Sequence, residues 1–291
     1  MLQQTTVAAV APRFERFIAR WPTVEALAGA ADEEVLSEWA GLGYYARARN
    51  VIACARAVAA LGAFPTTEAE LRKLPGVGEY TAAAIAAIAF GRRAIVVDSN
   101  VERVTARLAG FEHPTRSAIR DAVAAITPTE RAGDFAQAMM DLGATICRPR
   151  NAACGECPLS GGCAAFASGS PESYPARKPK LQKPVRYGIA YWIEREGAIR
   201  LVRRSSKGLL GGMAGLPGSD WTSERAARAP VLGSVRHVFT HFVLELDVVA
   251  SDEVPADGWW QSLDSLGEAG LPTLYCRAIE SVLQSRERLA A

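Results

Sequence analysis

Apolar residues recur at helical spacing through the first half of the chain and alternate through the second. Val7, Val10, Phe14, Phe17 and Ile18 fall on one face of a predicted helix that Trp21-Pro22 stops. A second helical stretch, Asp32–Ala40, ends at Gly41, and a third, Arg47–Leu61, ends at Gly62. Thr67 and Glu70 have the spacing of a capping box opening TEAELRKL, and Ser99 with Glu102 repeats it for VERVTARL. Asp134–Ile146 closes the helical half. Past residue 186 the apolar period shortens from about 3.6 to about 2. There YGIAYWIE, AIRLVRR and HVFTHFVLELDVVA read as strands, and LYCRAIESVLQSRE reads as a final helix. Between the halves, SGSPESYPARKPKLQKP follows neither period and is rich in Pro, Ser and Lys, which is linker composition. The expected organisation is a mostly α domain over 1–170, a basic Pro/Lys linker over 171–185, and an α+β domain over 186–291.

A length of 291 residues, 49% of them hydrophobic and 22% charged, leaves room for two ordinary cores. The net charge of +2 is unevenly spread. Residues 1–175 hold 17 basic and 18 acidic side chains, 176–185 hold 4 basic and none acidic, and 186–291 hold 12 and 13. With so weak a global field, a polyanion has to be gripped by local features. The linker's charge suits either a solvated tether or a phosphate contact. No run approaches the roughly 18 apolar residues of a membrane helix. The segment MLQQTTVAAVAPRFERF has no basic stretch ahead of its short apolar run, so it reads poorly as a secretory signal. A soluble cytoplasmic protein without membrane partners is expected.

Three motifs carry chemistry. In Leu74-Pro75-Gly76-Val77-Gly78 the glycines permit a tight turn, and the helix that follows presents free N–H groups suited to a phosphate oxygen. The same five residues also serve as a plain helix–helix turn. In IVVDSNVERV an apolar run delivers Asp98, Ser99 and Asn100 to a helix start, where a carboxylate can cap the helix or stabilise developing positive charge. Cys147-x6-Cys154-x2-Cys157-x5-Cys163 gathers four thiols within seventeen residues, enough for one cluster or one zinc ion. Cys54 and Cys276 stand apart in helical patterns and read as small core residues.

In this order along the chain, the hairpin, the aspartate and the cysteines resemble the helix-hairpin-helix, iron–sulfur adenine DNA glycosylases. The resemblance implies a 4Fe-4S cluster on Cys147, Cys154, Cys157 and Cys163, and it implies that Gly76, Val77 and Gly78 hold the DNA backbone. Asp98 takes the place of the family's aspartate that stabilises charge at C1′, with Asn100 beside it. Met1-Leu2-Gln3-Gln4-Thr5 looks like the family's MLQQT segment, whose second glutamine intercalates near the lesion, and Gln4 takes that place. Within Gly41-Leu42-Gly43-Tyr44-Tyr45-Ala46-Arg47-Ala48-Arg49-Asn50, which is nearly the family's own signature, the match makes Tyr44 a wedge at the damaged pair and gives Leu42 a part in holding the groove. Endonuclease III-type enzymes carry a nucleophilic lysine just after the hairpin. Here Tyr80 stands there, and it cannot form a Schiff base. A monofunctional glycosylase is therefore expected, and an endonuclease III-like glycosylase/lyase disfavoured.

Gly208-Leu209-Leu210-Gly211-Gly212-Met213 resembles the start of the family's Nudix-like domain, and Arg236–Phe242 resembles its 8-oxoguanine-reading loop. Phe239, Thr240 and His241 are the implied readers. The stretch 219–229 lacks the glutamate array of a magnesium-dependent Nudix hydrolase, so pyrophosphatase activity is not expected. The implied partner is double-stranded DNA with adenine opposite 8-oxoguanine or guanine, bound by a monomer and keeping the protein at the nucleoid.

The family's general-acid glutamate lies two residues ahead of MLQQT, so this chain is expected to begin just after it. A start placed at an internal methionine, a decaying gene, or a lesion-binding protein without the acid would each account for that. The first is favoured because everything downstream matches an intact enzyme. For the chain as it stands the expectation is binding without measurable excision, and lower stability because apolar surface loses its cover.

Overall fold

The computed structural model describes residues 1, 7–176, 182–205, 208–225 and 230–290. They pack as two compact units: Met1–Ala59 with Leu181–Ala291, and Ala60–Lys180. Packing thus groups the first four helices with the C-terminal half, a grouping that hydrophobic period along the chain does not reveal.

In the first unit, helices α1 (Val7–Arg20), α2 (Val24–Gly29), α3 (Asp32–Trp39) and α4 (Tyr45–Leu61) follow one another through short turns. α1 buries Val10 and Phe17, while Phe14 stays 52% exposed. The Phe17 ring meets Trp21 edge-on at 4.7 Å and Trp39 at 6.3 Å. Trp39 is 1% exposed and donates its indole N–H to the Gly43 carbonyl at 3.2 Å, which ties the end of α3 to the turn ahead of α4. The short α2 carries little apolar period. It forms because Thr23 caps it, accepting from the Ala26 N–H at 3.2 Å.

The second unit holds α5 (Glu68–Leu71), α6 (Glu79–Ile88), α7 (Ser99–Ala109), α8 (Arg116–Ile126), α9 (Ala132–Thr145) and α10 (Ala164–Ala167). Thr67 caps α5 as its spacing predicts: the hydroxyl accepts from the Glu70 N–H at 3.3 Å and donates to the Glu70 carboxylate at 2.7 Å. The expected box at Ser99 and Glu102 does not form. Asp98 takes the cap instead, because its Oδ1 reaches the Val101 N–H at 2.7 Å and makes Ser99 the first helical residue. Val101, Val104, Ala106, Ile119, Val123 and Met139 from α7, α8 and α9 make a shared core. Gly133 and Gly143 let α9 approach closely, for a Cβ at either would fall 2.5 Å from a neighbouring atom.

The C-terminal half returns to the first unit with strands β1 (Val185–Trp192), β2 (Glu194–Arg195), β3 (Ala198–Arg203), β4 (Ala214–Gly215), β5 (Val231–Val238), β6 (Val243–Ala250) and β7 (Trp259–Ser262), then helix α11 (Thr273–Ala290). One sheet has the order β1-β6-β5, with β1 parallel and β5 antiparallel to β6. In the other, β3 pairs with β2, β4 and β7, all antiparallel. The run HVFTHFVLELDVVA is not one strand. It turns between Val238 and Val243, where the Phe239 N–H donates to the Phe242 carbonyl at 2.9 Å. The fold class is a helical domain with an α+β Nudix-like domain after it, as expected. Leu36 and Trp39 share one continuous core with Met213, Leu244, Leu274 and Tyr275. Among the described residues no helix is long and apolar enough to cross a membrane.

Candidate functional site

The hairpin is built as its glycines require. Gly76 has φ +73°, a left-handed conformation that costs a side chain, and the Val77 N–H closes the turn on the Leu74 carbonyl at 3.1 Å. Gly78 then opens α6 with no side-chain cap, so the first-turn N–H groups lack an intrahelical partner and are suited to an external oxygen. Gly76 and Gly78 are exposed and Val77 half-buried. Glu79, next in line, is drawn away by Arg120 at 2.8 Å.

Two turns of sequence converge nearby in the same unit. Asp98 caps α7 with one oxygen, and its Oδ2 accepts from the Asn100 amide at 3.2 Å. The Asn100 Oδ1 in turn accepts from Arg103 at 2.9 Å. Arg103 also donates to the Gly143 carbonyl at 2.7 Å and the Cys147 carbonyl at 2.8 Å. Asp98 is therefore a half-buried carboxylate oriented through both of its oxygens. Tyr80 is close enough to feel it: burial first, then the Asp98 charge, push the phenol above its ordinary range. The Tyr80 hydroxyl donates to the Met140 sulfur at 3.6 Å. Arg103 and Arg107, one helical turn apart on α7, were not picked out from sequence; their i,i+4 spacing after a capping aspartate was the available signal.

The four cysteines are free and half-buried. Cys147 follows α9, Cys154 opens a 3-10 turn, and Cys163 precedes α10. Arg107 donates to the Cys147 sulfur at 3.2 Å, and the Cys163 thiol donates to the Arg107 carbonyl at 3.4 Å. Burial pushes the Cys154 thiol up, and the other three cysteines add to the shift, so the four share one electrostatic neighbourhood. Yet among the described residues no set of three or more His, Cys, Asp or Glu side chains is gathered tightly enough for a single metal ion.

The remaining expected residues lie in the first unit. Leu42, Tyr44, Phe239, Thr240 and His241, distant in sequence, all line one cavity of about 600 Å³. Leu42 is buried at 5% exposure, and Tyr44 is 47% exposed with φ +49°, unusual for a side chain of its size. The Arg47 guanidinium stacks 4.9 Å over its ring. Phe239 is held in an aromatic cluster, with ring centroids 4.9 Å from Phe242, 5.5 Å from Trp221 and 4.6 Å from His237. Thr240 and His241 sit exposed at the tip of the turn. His237, within the Arg236–Phe242 segment, and Lys183, within the basic linker, also line the cavity, though neither is among the implied readers. Gln4 lies outside the described residues.

Comparison with known proteins places this geometry. Residues 1–128 match the HhH-GPD superfamily base excision DNA repair proteins, and residues 188–281 match the NUDIX domain. Among solved structures, a thermostable thymine-DNA glycosylase superposes with a TM-score of 0.54 at 29% identity, over 57% of this chain and 80% of that one. A trapped endonuclease III–DNA covalent intermediate gives 0.52 at 29% identity, over the same shares. A helix-hairpin-helix domain with a Nudix-like domain behind it defines a base-excision class of two-domain proteins. The human adenine DNA glycosylase is 34% identical over 320 residues, covering 85% of this chain and 59% of its own length. The Mycolicibacterium smegmatis adenine DNA glycosylase is 41% identical over 183 residues, covering 61% and 62%. The chain thus carries a base-excision repair HhH-GPD domain followed by a NUDIX domain and is similar to the adenine DNA glycosylases across both. It spans 59%, 60% and 64% of the human, Buchnera aphidicola (Schizaphis graminum) and mouse relatives' lengths.

Proposed function

We propose that this chain is the lesion-recognising and charge-stabilising body of a monofunctional DNA glycosylase, acting on adenine opposite 8-oxoguanine or guanine in duplex DNA. The observation that carries the reading is Asp98, a carboxylate oriented by the Val101 N–H and the Asn100 amide beside a tyrosine rather than a lysine. When the N-glycosidic bond breaks, its electron pair leaves with adenine and positive charge develops on the sugar. A fixed carboxylate stabilises that charge while water adds to C1′. Tyr80 keeps its proton and supplies no amine for a covalent sugar intermediate, so strand cleavage is not part of the reaction. No residue is assigned the protonation of adenine.

The hairpin at Gly76–Gly78 grips a phosphate through the start of α6. The cavity lined by Leu42, Tyr44, Phe239, Thr240 and His241 receives the base opposite adenine, with Thr240 and His241 supplying polar contacts at its edge. Cys147, Cys154, Cys157 and Cys163 would hold a 4Fe-4S cluster. When bound, it would cross-link the loop between α9 and α10. Iron and acid-labile sulfide in the purified protein, lost when Cys154 is replaced by Ser, would support this; stoichiometric zinc would overturn it.

The test uses duplexes with adenine opposite 8-oxoguanine, opposite guanine and opposite thymine. Preferential binding of the first two is the expected result, and any base released should be free adenine with the sugar–phosphate strand left intact. Preference without adenine release would leave a lesion-binding protein in place of a glycosylase. Borohydride trapping on DNA would return the endonuclease III-like reading.

A further inference from the structure

Arg49, inside the Gly41–Asn50 segment, and Lys183, in the basic linker, hold the walls of the cavity by their main chain. Arg49, half-buried on α4, donates Nη1 to the Gly211 carbonyl at 2.7 Å and Nη2 to the Gly208 carbonyl at 3.3 Å. Those carbonyls belong to a turn in which Gly208, Leu210 and Gly212 have φ of 81°, 56° and 75°. Left-handed backbone at a leucine is costly and persists only where the surroundings enforce it. Leu209 and Leu210 of this turn line the cavity. On another wall, Lys183 donates Nζ to the Phe239 carbonyl at 2.7 Å, at the base of the turn that carries Thr240 and His241. Both contacts are charge-assisted bonds to backbone, so each fixes where a loop runs, whatever side chains it carries.

The placement of Arg49 matters as much as its bonds. α4 begins directly after Tyr44, and Arg49 lies five residues further along. One helix thus carries the exposed tyrosine at its start and the strut to the opposite turn just beyond it. Moving the turn relative to Tyr44 requires breaking a two-pronged guanidinium contact.

We propose that Arg49 and Lys183 are positioning residues for reading the base opposite adenine: they hold the 208–212 turn and the 239–242 turn at a set distance from Leu42 and Tyr44. This rests on the lesion-reading role proposed for the cavity. Neither residue has to touch the base. Arg49 acts through the leucine-bearing turn, and Lys183 acts through the turn that ends in Thr240 and His241.

The test measures affinity of the full chain for two duplexes carrying non-cleavable 2′-fluoro-deoxyadenosine, opposite either 8-oxoguanine or guanine. In Arg49→Ala the ratio of the two affinities is expected to fall about tenfold, and in Lys183→Met about threefold, the size of losing charged hydrogen bonds to backbone. Arg49→Lys should recover part of the ratio, since a single ammonium reaches one carbonyl rather than two. Affinity for an undamaged duplex should stay at the wild-type value. Hydrogen exchange of the free protein should rise at Gly208–Met213 in Arg49→Ala and not in Lys183→Met, which a general loss of stability would not produce. A wild-type ratio of one overturns the lesion-reading role and this inference with it. A high wild-type ratio that survives both substitutions, with unchanged exchange, overturns the inference alone. Should Arg49→Ala fail to fold, the exposed Lys183→Met and the conservative Arg49→Lys carry the same comparison.

Discussion

At the scale of single residues, Asp98 does two jobs that can be separated. Its Oδ1 caps α7 and its Oδ2 takes the Asn100 amide, so a neutral isostere keeps the shape and loses the charge. Asn is as good a helix cap as Asp, but its Nδ2 would face the Asn100 amide donor, so Asp98→Asn should keep the cap and cost about 1 kcal/mol for the lost hydrogen bond. If Asp98 stabilises the sugar cation, single-turnover adenine release should drop by about 10²–10³, the usual loss when a preorganised electrostatic group is removed. An equally active variant would remove the carboxylate from the mechanism. Sequence identified this residue through its position after an apolar run. It could not show which of Asp98 and Ser99 would cap, because both have the right side-chain length and only the folded backbone decides. Arg103, Arg107 and Lys183 were missed for a related reason: arginines and a lysine at ordinary spacing look like solvated charge until carbonyls and a sulfur are found against them.

At the scale of elements, period and caps were legible where burial is one-sided, and they failed where a turn interrupts a strand pattern. The α1, α3, α4, α7 and α9 ranges and the final helix follow from apolar spacing, because each buries one stripe. The split of HVFTHFVLELDVVA into β5, a turn and β6 was hidden. Phe239 and Phe242 are as apolar as strand residues, and what turns the chain is their mutual backbone bond and aromatic packing. The family resemblance named Leu42, Tyr44, Phe239, Thr240 and His241, but not that they line one cavity, since its walls come from segments that only tertiary packing brings together. The packing of α7 on α9 yields the next prediction. A methyl at Gly143 would lie 2.5 Å from the Asn100 Cβ, so Gly143→Ala must push α9 away from α7. That displacement is expected to cost about 1–3 kcal/mol of stability. It should also loosen Asn100 from Asp98 and slow adenine release, while affinity for undamaged duplex, which depends on the hairpin, stays unchanged. A variant with wild-type turnover and a lowered midpoint would show that Asn100 need not be held so closely.

At the scale of the whole molecule, buried titratable groups set the pH range over which both units stay folded. Burial raises the phenols of Tyr45 and Tyr275 in one unit and of Tyr80 in the other above their ordinary value of about 10. Above that pH the unfolded chain releases protons that the folded chain retains. The unfolded state then binds fewer protons, and stability falls as pH rises. Each group contributes a slope of at most about 1.4 kcal/mol per pH unit. The thiols of Cys54 and Cys276, also raised by burial, act in the same direction and start somewhat lower in pH. On the acid side the imidazole of His237 is lowered, by burial first and then by Arg277. Below about 6.5 the unfolded chain gains a proton there that the folded chain refuses, so stability falls as pH drops toward the folded value. Calorimetric midpoints should therefore be highest near about pH 8 and fall on both sides. Replacing His237 with Gln should remove the upper part of the acid limb, just below about pH 6.5, and leave both the alkaline limb and the part below about pH 4.5 that comes from the lowered carboxyl of Glu194. An alkaline midpoint unchanged up to pH 11 would mean that the tyrosines ionise as freely in the folded protein as in the unfolded chain, and that their burial is looser than the packing of Tyr275 against Arg204 implies.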